Sequence, residues 1–178
     1  MPGYPGTQGG KMVTKESLRS IQILEDLTDE MLAKLLPFIE MHHFEERETI
    51  FREGDRTGKF YMLKSGKVLL EKRISSKIKI SIASIKPGFS FGWSAMLDEP
   101  LRLDATCSEP SVIYTLNAGE TFHFMENDPH MGYLIYKNLI RIVQRRLDLR
   151  TEQFSRVITR HPHIKPLLDD PENGDAPL

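Results

Sequence analysis

Cysteine, net charge and long apolar runs are all scarce in this sequence, and each scarcity argues against a class of protein. The single cysteine, Cys107, cannot form an internal disulfide or a zinc site built mainly of thiolates, which favours a reducing cytoplasm. A formal net charge of −1 gives no overall electrostatic case for nucleic acid or an acidic membrane surface as partner. No apolar run approaches the roughly 18 residues that a membrane-spanning helix needs.

Catalytic and metal-binding motifs are scarce as well. The sequence contains no G-x-S-x-G motif, no Walker-type glycine loop and no Cys–His–acid arrangement. His42 and His43 are neighbours, so on a strand their side chains point to opposite faces and do not chelate one ion. His161 and His163 have a chelating spacing but lie in a proline-rich stretch. We therefore expect neither a catalytic site nor a metal site.

The two ends of the chain are rich in residues that break regular structure. The first ten residues contain four glycines and two prolines, which predicts a disordered tail over residues 1–14. Residues 160–178 combine four prolines with a cluster of acids, which predicts a second, acidic tail. One domain over residues 15–158 remains, long enough to bury a core.

The first two thirds of that domain change from a helical to an alternating pattern. Thr28, followed by acids at positions 29 and 30, has the features of a helix N-cap. Strict alternation of isoleucine with polar residues over 77–82 is the clearest strand signal. Lys64–Lys67 is interpreted as a tight turn between two short strands. Short strands separated by regular breakers predict an antiparallel sandwich or barrel.

The last third is predicted to be helical. Ala118–Asn127 is expected to form a short helix, and Pro129 is placed where a helix tolerates proline at its start. No breaker follows between residues 130 and 159, which allows one helix of about 45 Å.

This long helix carries two apolar stripes. One stripe consists of Tyr136, Ile140, Val143, Leu147, Phe154 and Ile158, and the other of Ile135, Leu139, Ile142 and Leu149. A helix that rests on one surface needs one stripe, so two stripes indicate two partners. We predict a homodimer formed through the second stripe; the alternative is a monomer with one wide core-facing stripe.

The run IFREGDRTGKFYMLKSGKV, residues 50–68, resembles the glycine-punctuated core of the cyclic-nucleotide-binding domain. That family includes the catabolite activator protein and the regulatory subunits of protein kinase A. The resemblance implies an antiparallel β-roll, a cupin-like jelly roll, flanked by N-terminal helices and a long C-terminal helix. Its glycines, Gly54, Gly66 and Gly88 among them, are expected at turns that require positive φ.

Residues 89–107 resemble the family's phosphate-binding cassette but depart from it at two positions. In the family a Glu that holds the ribose follows the cassette glycine, whereas here Trp93 follows Gly92. An Arg that clamps the phosphate stands three residues before a Thr, whereas here that position is Leu103 and Arg102 lies one residue further away. A shift by one residue turns a strand side chain to the opposite face, unless a bulge or a longer turn over residues 98–101 restores Arg102 to the pocket. We therefore expect no tight binding of cAMP or cGMP in the usual pose.

Several functions remain open for this cassette. A nucleotide-like or other small anionic ligand would be bound by the backbone and side chains of Phe91, Gly92, Trp93, Ser94, Ala95, Arg102, Asp104, Ala105 and Thr106. Trp93 would either stack on a planar ligand or fill the pocket, leaving a ligand-free scaffold for protein association. A cupin-type enzyme is a remote alternative, because no H-x-H motif lies within the predicted barrel.

The expected protein is thus a stand-alone regulatory or sensor module. In the family's transcription factors a helix-turn-helix domain follows the long helix. The 28 residues after Arg150 are too few and too proline-rich for one, so we expect no DNA partner.

Overall fold

The computed structural model describes residues 13–75 and 77–161. Most of the two predicted tails, and His163 with them, lie outside the described residues. The chain divides at Asn138, inside its last helix, into two compact units.

The second of the two N-terminal α-helices begins directly after its predicted N-cap, Thr28. Helix α1 covers Lys15–Arg19 and helix α2 covers Asp29–Leu35. The Thr28 side chain accepts a hydrogen bond from the backbone N–H of Met31, as an N-cap does. Short 3₁₀ helices at Gln22–Leu24 and Leu36–Phe38 complete this part.

Six strands form one antiparallel sheet that is bent into the predicted β-roll. They are β1 Ile39–Phe44, β2 Thr49–Phe51, β3 Lys59–Arg73, β4 Lys79–Ile85, β5 Ser90–Phe91 and β6 Asp104–Asn117. The strand order is β1-β6-β3-β4, with β2 also paired to β6 and β5 to β3. Aromatic and aliphatic side chains from both long strands fill the interior, so the fold class is confirmed.

The predicted tight turn at Lys64–Lys67 is wrong. Strand β3 runs through it without a break, and Gly66 lies at irregularities in its pairing with β6. Gly66 has φ 90°, and a Cβ there would lie 2.3 Å from Ser111 Oγ and 2.6 Å from the carbonyl oxygen of Pro110. The glycine thus bends one long strand where β6 passes close to it, instead of joining two short ones.

The two C-terminal helices have the predicted bounds. Helix α3 covers Ala118–Asn127 and α4 covers Pro129–Thr159. The Asn117 side chain caps α3 by accepting from the N–H groups of Gly119 and Glu120. In the first part of α4, buried Asn138 donates to the carbonyl of Ile23 at 3.5 Å.

The stripe assignment on α4 needs correction. Ile135 and Ile142, which we predicted in the dimer interface, are only 3% and 6% exposed in the chain, and Leu139 is half-buried. Side chains already buried in the chain cannot form a new interface, and of the predicted four only Leu149 is exposed. The residues of the other stripe, from Tyr136 to Phe154, are exposed instead.

Among the residues that the structure describes, no helix combines the length and the hydropathy needed to cross a bilayer.

Candidate phosphate-binding cassette

The cassette begins at a backbone position that only glycine accepts easily. Gly92 follows β5 and has φ 75°, and a Cβ there would lie 2.6 Å from Cδ2 of Tyr61. It starts a 3₁₀ helix, Trp93–Leu97, of only five residues. So short a helix has a weak dipole, so the side chains around it carry most of any ligand selectivity.

Trp93 turns back onto the strand that precedes it. Its indole Nε1–H donates to Ser90 Oγ at 3.1 Å, and the Trp93 ring is half-buried. Ser90 itself is fully buried. The indole is therefore tied to the roll at the point where the family resemblance implies a ribose-binding carboxylate.

Side chains from Leu101 to Cys107 alternate between two faces. Leu101, Ala105 and Cys107 belong to the buried core cluster, and Leu103 packs against that cluster from its half-buried position. Arg102 lies on the other face, is largely exposed and forms an ion pair with the Glu99 carboxylate. Leu103 thus occupies the inward position that the family resemblance gives to the phosphate-clamping arginine.

Asp104 is a buried acid on the face away from the core. Its carboxylate accepts from the backbone N–H of Glu53 at 2.8 Å, and it lies 2.7 Å from Lys79 Nζ and 3.7 Å from Arg73 Nη2. Burial opposes ionisation, but the Lys79 ammonium, the Glu53 N–H and Arg73 together lower the pKa of Asp104 below its ordinary value. Asp104 therefore joins β6 to the β3–β4 hairpin as an ionised, already satisfied anion.

The remaining predicted residues are divided between the two faces. Phe91 and Ala105 lie in the core, where Phe91 stacks on Tyr61 with ring centroids 5.4 Å apart. Ser94 is half-buried and Ala95 is buried, both within the 3₁₀ helix. Thr106 donates to Glu71 Oε2 at 3.1 Å. The structure brings Phe91 and Ala105 together, but it does not bring Arg102 or Asp104 to them.

Three partners were missed from the sequence: Ser90 for Trp93, and Lys79 and Glu53 for Asp104. Lys79 and Glu53 are both far from Asp104 along the chain. The pairing of β3 with β4 and β6 brings Lys79 to Asp104, and the pairing of β2 with β6 brings Glu53. The nearness of Ser90 to Trp93 was the one available signal.

No group of three His, Cys, Asp or Glu side chains within residues 13–75 and 77–161 could hold a metal ion. His42 instead lies 3.1 Å from Thr115 Oγ1 and 3.2 Å from Glu40 Oε2 through its Nε2.

A β-roll with a left-handed glycine ahead of a short 3₁₀ helix, followed by a long helix, defines one class of β-roll domain. Residues 41–128 match the model of the cyclic nucleotide-binding domain, and the chain belongs to that family.

Solved structures agree with this family. A Geobacter metallireducens protein assigned to cyclic nucleotide binding has a TM-score of 0.66 and 26% identity over 76% of this chain and 99% of its own. The Thermus thermophilus catabolite activator protein has a TM-score of 0.62 and 25% identity over 75% of this chain and 63% of its own.

Curated relatives match over a small part of their length. Human cGMP-dependent protein kinase 2 is 27% identical over 86 residues, which are 48% of this chain and 11% of the kinase. The Eimeria tenella cGMP-dependent protein kinase is 28% identical over 149 residues, which are 81% of this chain and 14% of that kinase.

Proposed function

We propose that this chain is a non-enzymatic regulatory or sensor module of the cyclic nucleotide-binding family that does not bind cAMP or cGMP in the family's usual pose. The observation that supports this most strongly is the inward position of Leu103, with Arg102 on the opposite face. An isobutyl group offers no charge to a cyclic phosphate, and a hydrogen bond to a charged group is worth about 1.5–3 kcal/mol. Removing that clamp alone lowers affinity by about one to two orders of magnitude.

The Trp93 indole supports the same proposal by a second route. A ribose bound in the usual pose would have no carboxylate partner, because the Trp93 ring, hydrogen-bonded to Ser90, occupies that position. A ligand that replaces a cyclic nucleotide would then be recognised by stacking on the indole and by the backbone at Gly92. A nucleotide-like or other small anionic ligand remains our proposal for this site.

A thermal-shift series tests the ligand proposal. The unmodified protein is heated with cAMP, cGMP, cyclic dinucleotides and linear nucleotides, because a ligand specific for the folded state raises the melting temperature by mass action. We expect no shift with micromolar cAMP or cGMP. A clear shift at that concentration contradicts the proposal.

We further propose that the module forms a homodimer through the exposed stripe of α4, defined here as Ile140, Val143, Leu147, Phe154 and Val157. These residues follow one another at the three- and four-residue spacing of a coiled-coil seam, with Arg150 in the remaining position. All five are exposed in the single chain, with Leu147 64% and Phe154 67% exposed. A second copy of the helix would bury this stripe by the ordinary hydrophobic effect.

Sedimentation with matched variants tests the dimer. Leu147→Asp places a charge in the exposed stripe, and Leu149→Asp places the same charge on a similarly exposed leucine outside it. We expect a dimer for the unmodified chain and for Leu149→Asp, and a monomer for Leu147→Asp. An unmodified chain that remains monomeric at high concentration refutes the proposal, as does equal behaviour of the two variants.

The Trp93–Ser90 hydrogen bond also favours a second candidate function, a ligand-free scaffold whose task is protein association alone. Replacing Trp93 by Ala separates the two candidates. A scaffold keeps its partners and dimerisation after the change, whereas a sensor that stacks its ligand on the indole loses ligand-dependent stabilisation. We also propose a reducing cytoplasm as the location of the module, because its single cysteine, Cys107, is buried and free.

A further inference from the structure

The β3–β4 hairpin extends beyond the rest of the sheet. Its last pairing with β6 joins Glu71 to Asp104, whereas β3 and β4 remain paired as far as Arg73 and Lys79. Backbone bonds from the N–H groups of Ile74 and Ser75 to the Ile78 carbonyl, at 2.9 and 3.3 Å, close its end. Three residues beyond Glu71, at about 3.3 Å each, give the hairpin end a reach of about 10 Å.

One face of this hairpin end is apolar and exposed. Residues opposite each other in an antiparallel pair point to the same side. Ile80 lies opposite Lys72, and Ile74 lies opposite Ile78, so the three isoleucines share a face. Ile74 is 59%, Ile78 55% and Ile80 43% exposed. At each of these positions a large apolar side chain is exposed to water. Contiguous exposed apolar side chains mark a contact surface.

Cations flank the isoleucines: Lys72 shares their face, whereas Arg73 and Lys79, which lie opposite each other, point to the other face. The segment 72–80 contains Lys72, Arg73, Lys77 and Lys79 and no acid. Its acidic partners Glu53, Glu71 and Asp104 lie at the base of the hairpin, where they pair with Lys72, Lys79 and Arg73. Lys77 is exposed beside the isoleucines. The net charge of −1 for the whole chain therefore does not describe this end of the molecule.

We propose that the hairpin end, Lys72–Ser75 with Lys77–Ile80, docks on an anionic lipid surface. Its reach of about 10 Å matches the depth to which apolar groups enter the headgroup region, about 5–10 Å. The isoleucines enter the interface and the cations remain at the level of anionic headgroups. A protein partner fits the pattern less well. Strand β4 is at the edge of the sheet and begins at Lys79, with Lys77 just before it, and lysines on an edge strand disfavour pairing with another strand. This surface is independent of the cassette and of the proposed function.

Vesicle sedimentation of the full chain tests the proposal. The unmodified protein is mixed with vesicles of phosphatidylcholine alone or of phosphatidylcholine with phosphatidylserine. We expect binding to the anionic vesicles and much less to the neutral ones. Raising salt from about 0.1 M to about 1 M shortens the Debye length from about 10 Å to about 3 Å, so the binding should weaken.

Two variants with matched controls locate the surface. Ile74→Ser with Ile78→Ser should weaken binding at least about tenfold, whereas Leu97→Ser, at an exposed leucine of the cassette helix, should not. Lys77→Gln should weaken it about fivefold, whereas Lys86→Gln, an exposed lysine outside the hairpin, should have less effect.

Three results would overturn the proposal. The first is no binding of the unmodified chain to anionic vesicles. The second is an equal loss of binding in the hairpin variants and in their controls. The third is a change in oligomer size without lipid when Ile74 and Ile78 are replaced, because it would assign the face to a second copy of this chain.

Discussion

The glycine-rich stretch over residues 50–68 and the cassette over residues 89–107 belong to the same roll but differ in what they keep of the family pattern. In the first stretch Gly54 and Gly66 have the expected positive φ of 89° and 90°, and the strands pair as the family fold requires. In the second, Gly92 keeps a positive φ of 75°, yet Trp93 and Leu103 stand where the family resemblance implies charged ligand-holding side chains. The backbone of a binding site and its ligand chemistry are thus separable.

The separation has a physical basis. A left-handed glycine is required by the backbone conformation, and at Gly66 and Gly92 also by close neighbours, so its loss destabilises the fold whatever the ligand. A ligand-holding side chain at the mouth of the roll contributes to binding and little to folding. We therefore expect changes at the left-handed glycines to alter stability, and changes at Trp93 and Leu103 to alter ligand affinity.

The largest effect is expected for Gly66→Ala. The new Cβ would lie 2.6 Å from the carbonyl oxygen of Pro110 and 2.7 Å from the Cα of Ser111, so backbone has to move. The steric overlap and the positive φ at alanine both destabilise the variant, and we expect a loss of about 4 kcal/mol in the free energy of unfolding. Urea denaturation followed by circular dichroism measures it.

Gly58→Ala is the matched control. Gly58 also has positive φ, 59°, but a Cβ there meets nothing within 4 Å. The variant then loses only the free energy needed to hold an alanine at positive φ, about 1–2 kcal/mol of the free energy of unfolding. Equal losses for the two variants would show that close approach of β6 is not the reason for glycine at position 66.

The next effect sharpens the cassette side of the comparison. Leu103→Arg combined with Trp93→Glu restores both charged side chains at the positions that the family pattern gives them. We expect affinity for cAMP to rise at least about tenfold over the unmodified chain, because each restored charged hydrogen bond is worth about 1.5–3 kcal/mol. Isothermal titration calorimetry measures the change.

Arg102→Leu serves as the control for this variant. Arg102 pairs with Glu99 on the outer face, so its removal should leave nucleotide affinity unchanged. A larger effect from Arg102→Leu than from the double variant would mean that the outer arginine reaches the ligand.

A smaller effect is expected for Asp104→Asn, which removes the buried anion that joins β6 to the hairpin. The folded-state pKa of Asp104 lies below its ordinary value of 3.8, so the ionised carboxylate stabilises the fold above that pH and the stabilisation disappears as pH falls through the folded value. Since Lys79 and Arg73 are partly solvated, we expect a loss of about 1–2 kcal/mol near pH 7 that becomes smaller in acid.

Asp98→Asn is the control, at a fully exposed carboxylate on the turn after the cassette helix. Its stability should stay within about 0.5 kcal/mol of the unmodified chain. If the difference between Asp104→Asn and the unmodified chain did not depend on pH, the ion pairs of Asp104 would not be the source of its contribution.

Local signals in the sequence were sufficient for the helices and for the fold class. A capping Thr28, the unbroken stretch after Pro129 and the alternation around Ile80 each act within a few residues, and the structure has a helix or strand at each. The prediction of a turn at Lys64–Lys67 was wrong because a glycine between polar residues is equally typical of a turn and of a bulge. Only the passage of β6 close to Gly66 distinguishes them.

The cassette and the α4 stripes show a second limit. Alternation along 101–107 gave the relative faces of Arg102 and Leu103, but not which partners would hold Arg102 or Asp104. On α4, both stripes have helical spacing, so the pattern could not tell which one the chain buries. The choice of Ile135 and Ile142 for the dimer interface was wrong because their burial depends on packing, not on periodicity.

A calorimetric titration of the unmodified chain with cAMP, repeated with cGMP, tests the central proposal most directly. With Leu103 inward, Arg102 paired to Glu99 and the indole of Trp93 bonded to Ser90, we predict no saturable heat at micromolar nucleotide. A one-site isotherm with a micromolar dissociation constant, lost on Trp93→Ala, would contradict it.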